Sequence, residues 1–470
     1  MSETPSNHGA PTDGAPTPFA PQVITLSNGM TLINVYDPNS TAVHVQITMR
    51  SGSRDETRAT AGLKHFEEHE MFDGTPSRPT EDIIGHDLEI TGGAANAFTG
   101  QEMVSYFGDA PVDQLLPLAD VLTDMLSGPL FEPKKMDRER IAVLEEEGNY
   151  QQNRGRWVGT ALLGVAFAGT SLAWSPGGFE DVITSVTHDE MVAFHRQAYD
   201  PHAMALLVSG GAYLDRETAE RLVSRFPSGH VPERTPPIWG QGEKFVGKTV
   251  AVGDGERQQV NVGIGIPGIA HNDPDALAVE VLESVAGGGQ SSRLALLLRH
   301  NPSLAAGMAM GNAAFTDTGM FEFNLATSPG NEERAVSALV GELHRLAEHP
   351  VGPAELARAK TGISAGLLQE TEGADALGQY YSQRWAVGQP LVSPLQLADQ
   401  IDAVDAASVQ RVAKRLMAGL GQARLAFIHP ADPKTGLNDA GDTLQQEGAR
   451  LLAAVTQTRS PSVPAAREMG

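Results

Sequence analysis

ITSVTHDEMVAFHRQ, residues 183–197, and IDAVDAASVQRVAKR, residues 401–415, read as two copies of one element set 218 positions apart. Each predicts a helix opened by a good N-cap, Thr187 or Asp405, and Thr187 with Glu190 fits a capping box. An apolar, strand-like run follows each, 205–208 and 425–428. Earlier in the chain the alternating Val43, Val45, Ile47 and Met49 have counterparts in Val260, Val262, Ile264 and Ile266, a shift of 217. Two matches at nearly one offset indicate a duplication. Strands interleaved with helices in each half give an α+β fold class, with two homologous domains of α/β sandwich type. The Pro-rich stretch SGHVPERTPPIWGQGEK (228–244) separates the halves. The expected organisation is a flexible lead-in over 1–20, a first domain over 21–228, a linker over 229–243, a second domain over 244–454 and a flexible tail over 455–470.

Composition narrows the function. The 470 residues, 41% hydrophobic and 20% charged, suffice for a sizeable core. With 34 Lys and Arg against 58 Asp and Glu, the formal charge is −24, and its field disfavours nucleic acid and anionic membranes as partners. The absence of cysteine excludes disulfides, thiolate nucleophiles and Cys-ligated metal sites, leaving His, Asp and Glu as the strong metal ligands. The first 22 residues have neither a basic n-region nor an apolar h-region, and no run approaches 18 apolar residues, so the expected location is the cytoplasm.

Within GLKHFEEHEMFDGT (62–75), His65 and His69 stand four apart and so share one face of a helix, a turn apart, where both imidazoles can grip one ion. Glu68 lies beside them. Hydrolytic zinc sites take three His or carboxylate ligands and use a neighbouring Glu as base. HxxEH supplies two ligands and that base, and a third ligand must come from elsewhere. The competing reading is an ordinary charged, solvated helix face, to which Lys64, Glu67 and Glu70 would belong.

These residues resemble the inverzincin metallopeptidases of the pitrilysin and insulinase type, in the half-length, mitochondrial-processing-peptidase-like branch. The resemblance spans about 23–433. It implies a clamshell half built from the two domains, one zinc ion per chain, and hydrolysis of unstructured peptides in a closed chamber. DRERIAVLEEEGN (137–149) resembles the family's ERxxxLxE segment; the match implies Glu146 as third ligand, 76 residues beyond His69, and Glu139 as a second glutamate supporting the site. GGAANAFTGQEMVSYF (92–107) resembles the edge strand on which the family binds substrate, implying that role for Asn96 and Ala97. As a plain turn residue beside Gly92 and Gly93, Asn96 would have no such role.

Shifted by 217, His65, Glu68 and His69 fall on Leu282, Val285 and Ala286, so no second metal site is expected. AGGGQSSRLALLLRH (286–300) resembles the family's GGGxSSRL segment, with a tight turn opening a helix. The resemblance implies substrate contact for Arg299, but Ala306 stands where active relatives have a Tyr. That division implies a heterodimer whose homologous partner supplies the Arg/Tyr pair, with a homodimer as the alternative. The rival function is a non-catalytic scaffold or peptide-binding subunit of the same fold, like the core proteins of respiratory complexes.

Overall fold

The computed structural model describes residues 16–226, 234, 236–250, 258–430 and 442–458. Among the described residues, eight α-helices come from the first half of the chain: α1 (Leu63–Glu70), α2 (Glu81–Ile90), α3 (Leu115–Ser127), α4 (Pro133–Gln152), α5 (Arg154–Ala166), α6 (Glu180–Ser185), α7 (His188–Ala198) and α8 (Arg216–Val223). Eight come from the second: α9 (Ala276–Gly287), α10 (Arg293–His300), α11 (Glu332–Glu348), α12 (Pro353–Glu370), α13 (Ala374–Ala386), α14 (Pro394–Asp402), α15 (Ala406–Ala418) and α16 (Asp442–Gln457). None of the described helices is long and apolar enough to cross a membrane.

Six strands form the first sheet: β1 (Pro21–Thr25), β2 (Thr31–Tyr36), β3 (Ala42–Met49), β4 (Ala94–Thr99), β5 (Val104–Pro111) and β6 (Met204–Gly210). Their order is β1-β2-β6-β3-β5-β4, with β2 and β6 parallel and the other neighbours antiparallel. The second sheet holds β7 (Phe245–Val250), β8 (Val260–Pro267), β9 (Gly307–Ala314), β10 (Gly319–Thr327) and β11 (Arg424–Pro430). Its order, β7-β11-β8-β10-β9, again has one parallel pair, β7 with β11. From β2 to β4 and from β7 to β9 the connectivity is the same, as a duplication requires. The offset strands are β3 and β8. Thr187 caps α7 in a full capping box with Glu190, and Asp405 caps α15.

The compact units are not the contiguous spans 21–228 and 244–454. One unit takes 1–143, 176–233 and 370–393; the other takes 144–175, 234–369 and 394–470. Each sheet is therefore covered by a helix from the opposite half of the sequence. In the first unit, Tyr381 and Trp385 of α13 pack on Ile33, Val35, Ala205 and Leu207. Gly378 permits this approach, since a Cβ there would lie 2.4 Å from the His44 ring and 2.7 Å from Ser209 Oγ. In the second unit, Val158 and Leu162 of α5 pack with Met320, Ala426 and Ile428. Gly263 gives the matching clearance, with Val158 2.6 Å from where its Cβ would stand. A duplication and a Pro-rich interruption point to contiguous domains, and an amphipathic stripe records that a helix covers something apolar but not which sheet it covers.

The expected linker ends inside the second unit, where Gly240 N–H donates to Ala166 C=O and the Trp239 indole to Gln422 C=O. Its residues 229–233 and 235 lie outside the described residues. Val455 is fully buried on α16, so the expected tail begins within a helix; 459–470 and the lead-in residues 1–15 are not described.

Candidate active site

Helix α1 carries the HxxEH residues and begins at Gly62, whose φ of 99° and close approach to Gly177 suit glycine alone. Its first amides are satisfied from outside: Gly62 N–H and Lys64 N–H donate to the two Glu56 oxygens at 2.9 and 2.7 Å. Burial pushes the Glu56 carboxyl up to about 8, against the downward pull of those two amides. Five of the eight α1 residues are buried, and the part-exposed ones are His65, Glu68 and His69. Lys64, Glu67 and Glu70 are all buried, so α1 is not a solvated charged face. Its open stripe is the one that carries the metal-type chemistry.

Helix α4 brings the third group. Glu146 lies in the second half of this helix. His65, His69 and Glu146 each offer a ligand atom, and the three atoms lie within 4.8 Å of one another; among the described residues this is the one His/Asp/Glu group so arranged. The His65 and His69 rings stand edge to face, 5.0 Å apart. Of the acidic run, Glu145 is exposed and Glu147 accepts from the Ser175 hydroxyl at 2.9 Å, while Glu146 meets the histidines.

Two carboxylates flank the cluster. Glu139, seven residues before Glu146 and two turns along the same helix, places Oε2 3.2 Å from His69 Nδ1. Arg138 holds its other oxygen at 3.0 Å and reaches Asp73 and Glu81. On α1 itself, Glu68 Oε2 accepts from the Thr99 hydroxyl at 2.5 Å, which ties the helix to the end of β4. Next to His69, burial pushes the Glu70 carboxyl up to about 8, helped by Asp73 and Glu139.

β4 is one of the two outer strands of its sheet. Strand alternation places Asn96 and Phe98 on the more exposed face and Ala95, Ala97 and Thr99 on the other, where Thr99 meets Glu68. Asn96 is thus in a strand, not a turn, and its Oδ1 accepts from Ala97 N–H at 2.8 Å. In the second unit the residues at the shifted positions, Leu282, Val285 and Ala286, are fully buried on α9. Ser292 caps α10, and Arg299 near its end is exposed, donating to Gln290 C=O at 2.9 Å. Ala306 N–H donates to Ala326 C=O beside β9.

Thr99, Arg138, Glu56 and His195, whose Nδ1 lies 2.8 Å from Glu67 Oε1, all support α1 or its neighbours without having been singled out from the sequence. Thr99 is 31 residues from Glu68 and His195 is 128 from Glu67. Nothing local marks such partners.

A duplicated α+β fold with a His, His, Glu donor set and a carboxylate on the same helix is the arrangement of a metal-dependent hydrolase. Residues 31–175 match the family model for insulinase (peptidase family M16), and residues 185–363 match the peptidase M16 inactive domain. The chain is 30% identical over 359 residues to a zinc protease of Streptomyces coelicolor, covering 75% of this chain and 78% of that protein. It is 27% identical over 414 residues to the mitochondrial-processing peptidase subunit beta of Lentinula edodes, covering 85% and 88%. A protease from Helicobacter pylori has the same fold, with a TM-score of 0.79 at 21% identity, covering 88% of this chain and 100% of the other. The chain belongs to the M16, or insulinase, family of peptidases.

Proposed function

We propose that the chain is a zinc metalloendopeptidase subunit that hydrolyses extended peptides, with His65, His69 and Glu146 holding one zinc ion. The observation that carries this is the meeting of three donor atoms within 4.8 Å beside Glu68. The donors suit zinc in kind, two imidazoles and one carboxylate, and their number leaves a position for substrate. When bound, the ion supplies Lewis acidity to a scissile carbonyl and to the attacking water.

The remaining work falls to the chain. Glu68 takes the water's proton and returns it to the leaving amine. Thr99 fixes the rotation of that carboxylate by its bond to Oε2. Glu139 orients the His69 ring through Nδ1, which makes Nε2 the metal-facing nitrogen. β4, at the sheet edge, offers backbone groups to an extended segment, with Asn96 and Ala97 at its centre. Preference for unstructured peptides follows, because a folded segment cannot add to a sheet edge.

Arg299 contacts substrate in the complete enzyme, and a homologous subunit supplies the missing aromatic hydroxyl in place of Ala306. A heterodimer is the proposed assembly and the cytoplasm its place, checked by co-purification and cell fractionation. Metal analysis and peptide cleavage test the whole reading. The purified chain should carry about one zinc, lost in His65→Ala. Glu68→Gln should keep the zinc and lose cleavage, both alone and with the partner. Near wild-type cleavage by Glu68→Gln would remove Glu68 from its role, and a metal-free chain would end the proposal.

A further inference from the structure

Glu67 and His195 form an ion-pair type contact that the reaction does not use. The two groups are 2.8 Å apart, with side chains 1% and 7% exposed. The His195 ring lies 4.4 Å from that of Tyr199, the residue after α7, tilted at 39° to it, and 5.7 Å from Phe131. Phe131 itself is buried with φ of 49°, a conformation that a bulky residue rarely adopts. The Tyr199 hydroxyl lies 2.9 Å from that of Tyr106, and Tyr106 pairs across β5 with Ala97 of β4. The chain Glu67, His195, Tyr199, Tyr106 therefore runs from the helix with the metal-type residues to the edge strand, inside one compact unit.

We infer that the buried Glu67–His195 pair sets the rotation of α1 about its axis, and so aims His65, Glu68 and His69 relative to β4. This deepens the proposed peptidase reading and rests on it. Glu67 adjoins Glu68 but projects about 100° round the helix, onto the buried side. Its bond to His195 is directional, whereas apolar packing around Leu63 and Phe66 tolerates small turns. A turn of about 10° moves a side-chain tip at a radius of ~6 Å by about 1 Å, and a shift of that size costs on the order of 100-fold in rate. Stability gives little reason for the pair, since a buried hydrogen-bonded pair is often no better than apolar residues of similar volume. Thr99 fixes one side of α1 through Glu68; His195 fixes the other through Glu67. His195 is a positioning residue that acts through Glu67.

The test is the double variant Glu67→Leu with His195→Phe in the full chain, assayed with its partner subunit where one is needed. It should melt at or above the wild-type temperature and retain its zinc. Its kcat should fall on the order of 100-fold with KM little changed, and the visible spectrum of the cobalt-substituted protein should change. Unchanged kcat and an unchanged cobalt spectrum would overturn the inference, since a merely structural pair is replaceable by apolar volume. Should the double variant not fold, Glu67→Met decides: it removes the bond to Nδ1 at similar volume, so kcat should fall on the order of 100-fold and the cobalt spectrum should change, while Glu67→Gln, whose amide oxygen still accepts from Nδ1, should stay near wild type. Unchanged kcat and cobalt spectrum in Glu67→Met would overturn the inference. If the wild-type chain, assayed with its partner subunit, binds metal but cleaves nothing, the peptidase reading fails, and the cobalt comparison still settles whether the pair sets the geometry.

Discussion

His69, Glu139 and Arg138 form a short relay in which each group holds the next, and changes within it should separate metal binding from chemistry. Glu139→Gln keeps the shape but weakens the acceptor at His69 Nδ1, and should lower zinc affinity by about 10–100-fold; competition with a chelator measures it. Thr99→Val removes the hydroxyl that donates to Glu68. Loss of a hydrogen bond to a charged group costs about 1.5 kcal/mol or more, so kcat should fall roughly tenfold while zinc content is unchanged. Of the candidate site as a whole, helical spacing in the sequence marks the HxxEH stripe, and resemblance to a family motif points to Glu146 and Glu139. Thr99 and His195 were not legible, because their partners are brought close by sheet and helix packing rather than by spacing along the chain.

At the scale of elements, α13 and α5 cover sheets built from the opposite half of the sequence, and their fit is tight. On α13, Gly378 faces His44 of a buried polar row in which His44 Nε2 lies 3.0 Å from Gln46 Oε1, and Gln46 Nε2 donates to Thr48 Oγ at 3.1 Å. Gly378→Ala would press a methyl group onto His44; overpacking of this kind costs ~1–3 kcal/mol, read as a lower midpoint in urea. On α5, Leu162 is fully buried against β11 residues, and Leu162→Ala should cost ~2–5 kcal/mol through the cavity it leaves. The zinc content of both variants should match wild type at a temperature where they are folded. Here the sequence was informative about strands and caps: β3, β8, Thr187 and Asp405 stand as their patterns required. It was silent about which sheet α5 and α13 would join.

Over the whole molecule, each compact unit needs a segment from the other half of the chain. A split within 229–243 should therefore leave each half unable to complete its own core. Without α13, Ile33, Val35, Ala205 and Leu207 would lose their cover. Residues 1–228 and 244–470 should be insoluble when expressed singly and should reconstitute when expressed together; independently soluble, cooperatively melting halves would contradict the exchange. Stability should also depend on alkaline pH. Burial raises the Glu283 and Glu56 carboxyls to about 8 from their ordinary value of 4.5. A carboxyl raised on folding binds its proton more tightly in the native state. Its contribution is full below about 4.5 and declines as pH rises through about 8. The melting temperature should fall between pH 6 and pH 9, and Glu283→Gln should flatten that slope.

The sequence by itself determined what is local or periodic: the duplicated strand and helix patterns, the HxxEH stripe on one helical face and the absence of that stripe from the second copy. Spacing along the chain fixes these because side chains three or four apart on a helix, or two apart on a strand, share a face whatever surrounds them. Tertiary structure alone decided that Lys64, Glu67 and Glu70 are buried, that Thr99 and His195 hold α1 from two sides, and that α5 and α13 exchange sheets. Those outcomes depend on groups tens to hundreds of residues apart meeting in a low-dielectric interior. No pattern of neighbours along the chain encodes such meetings.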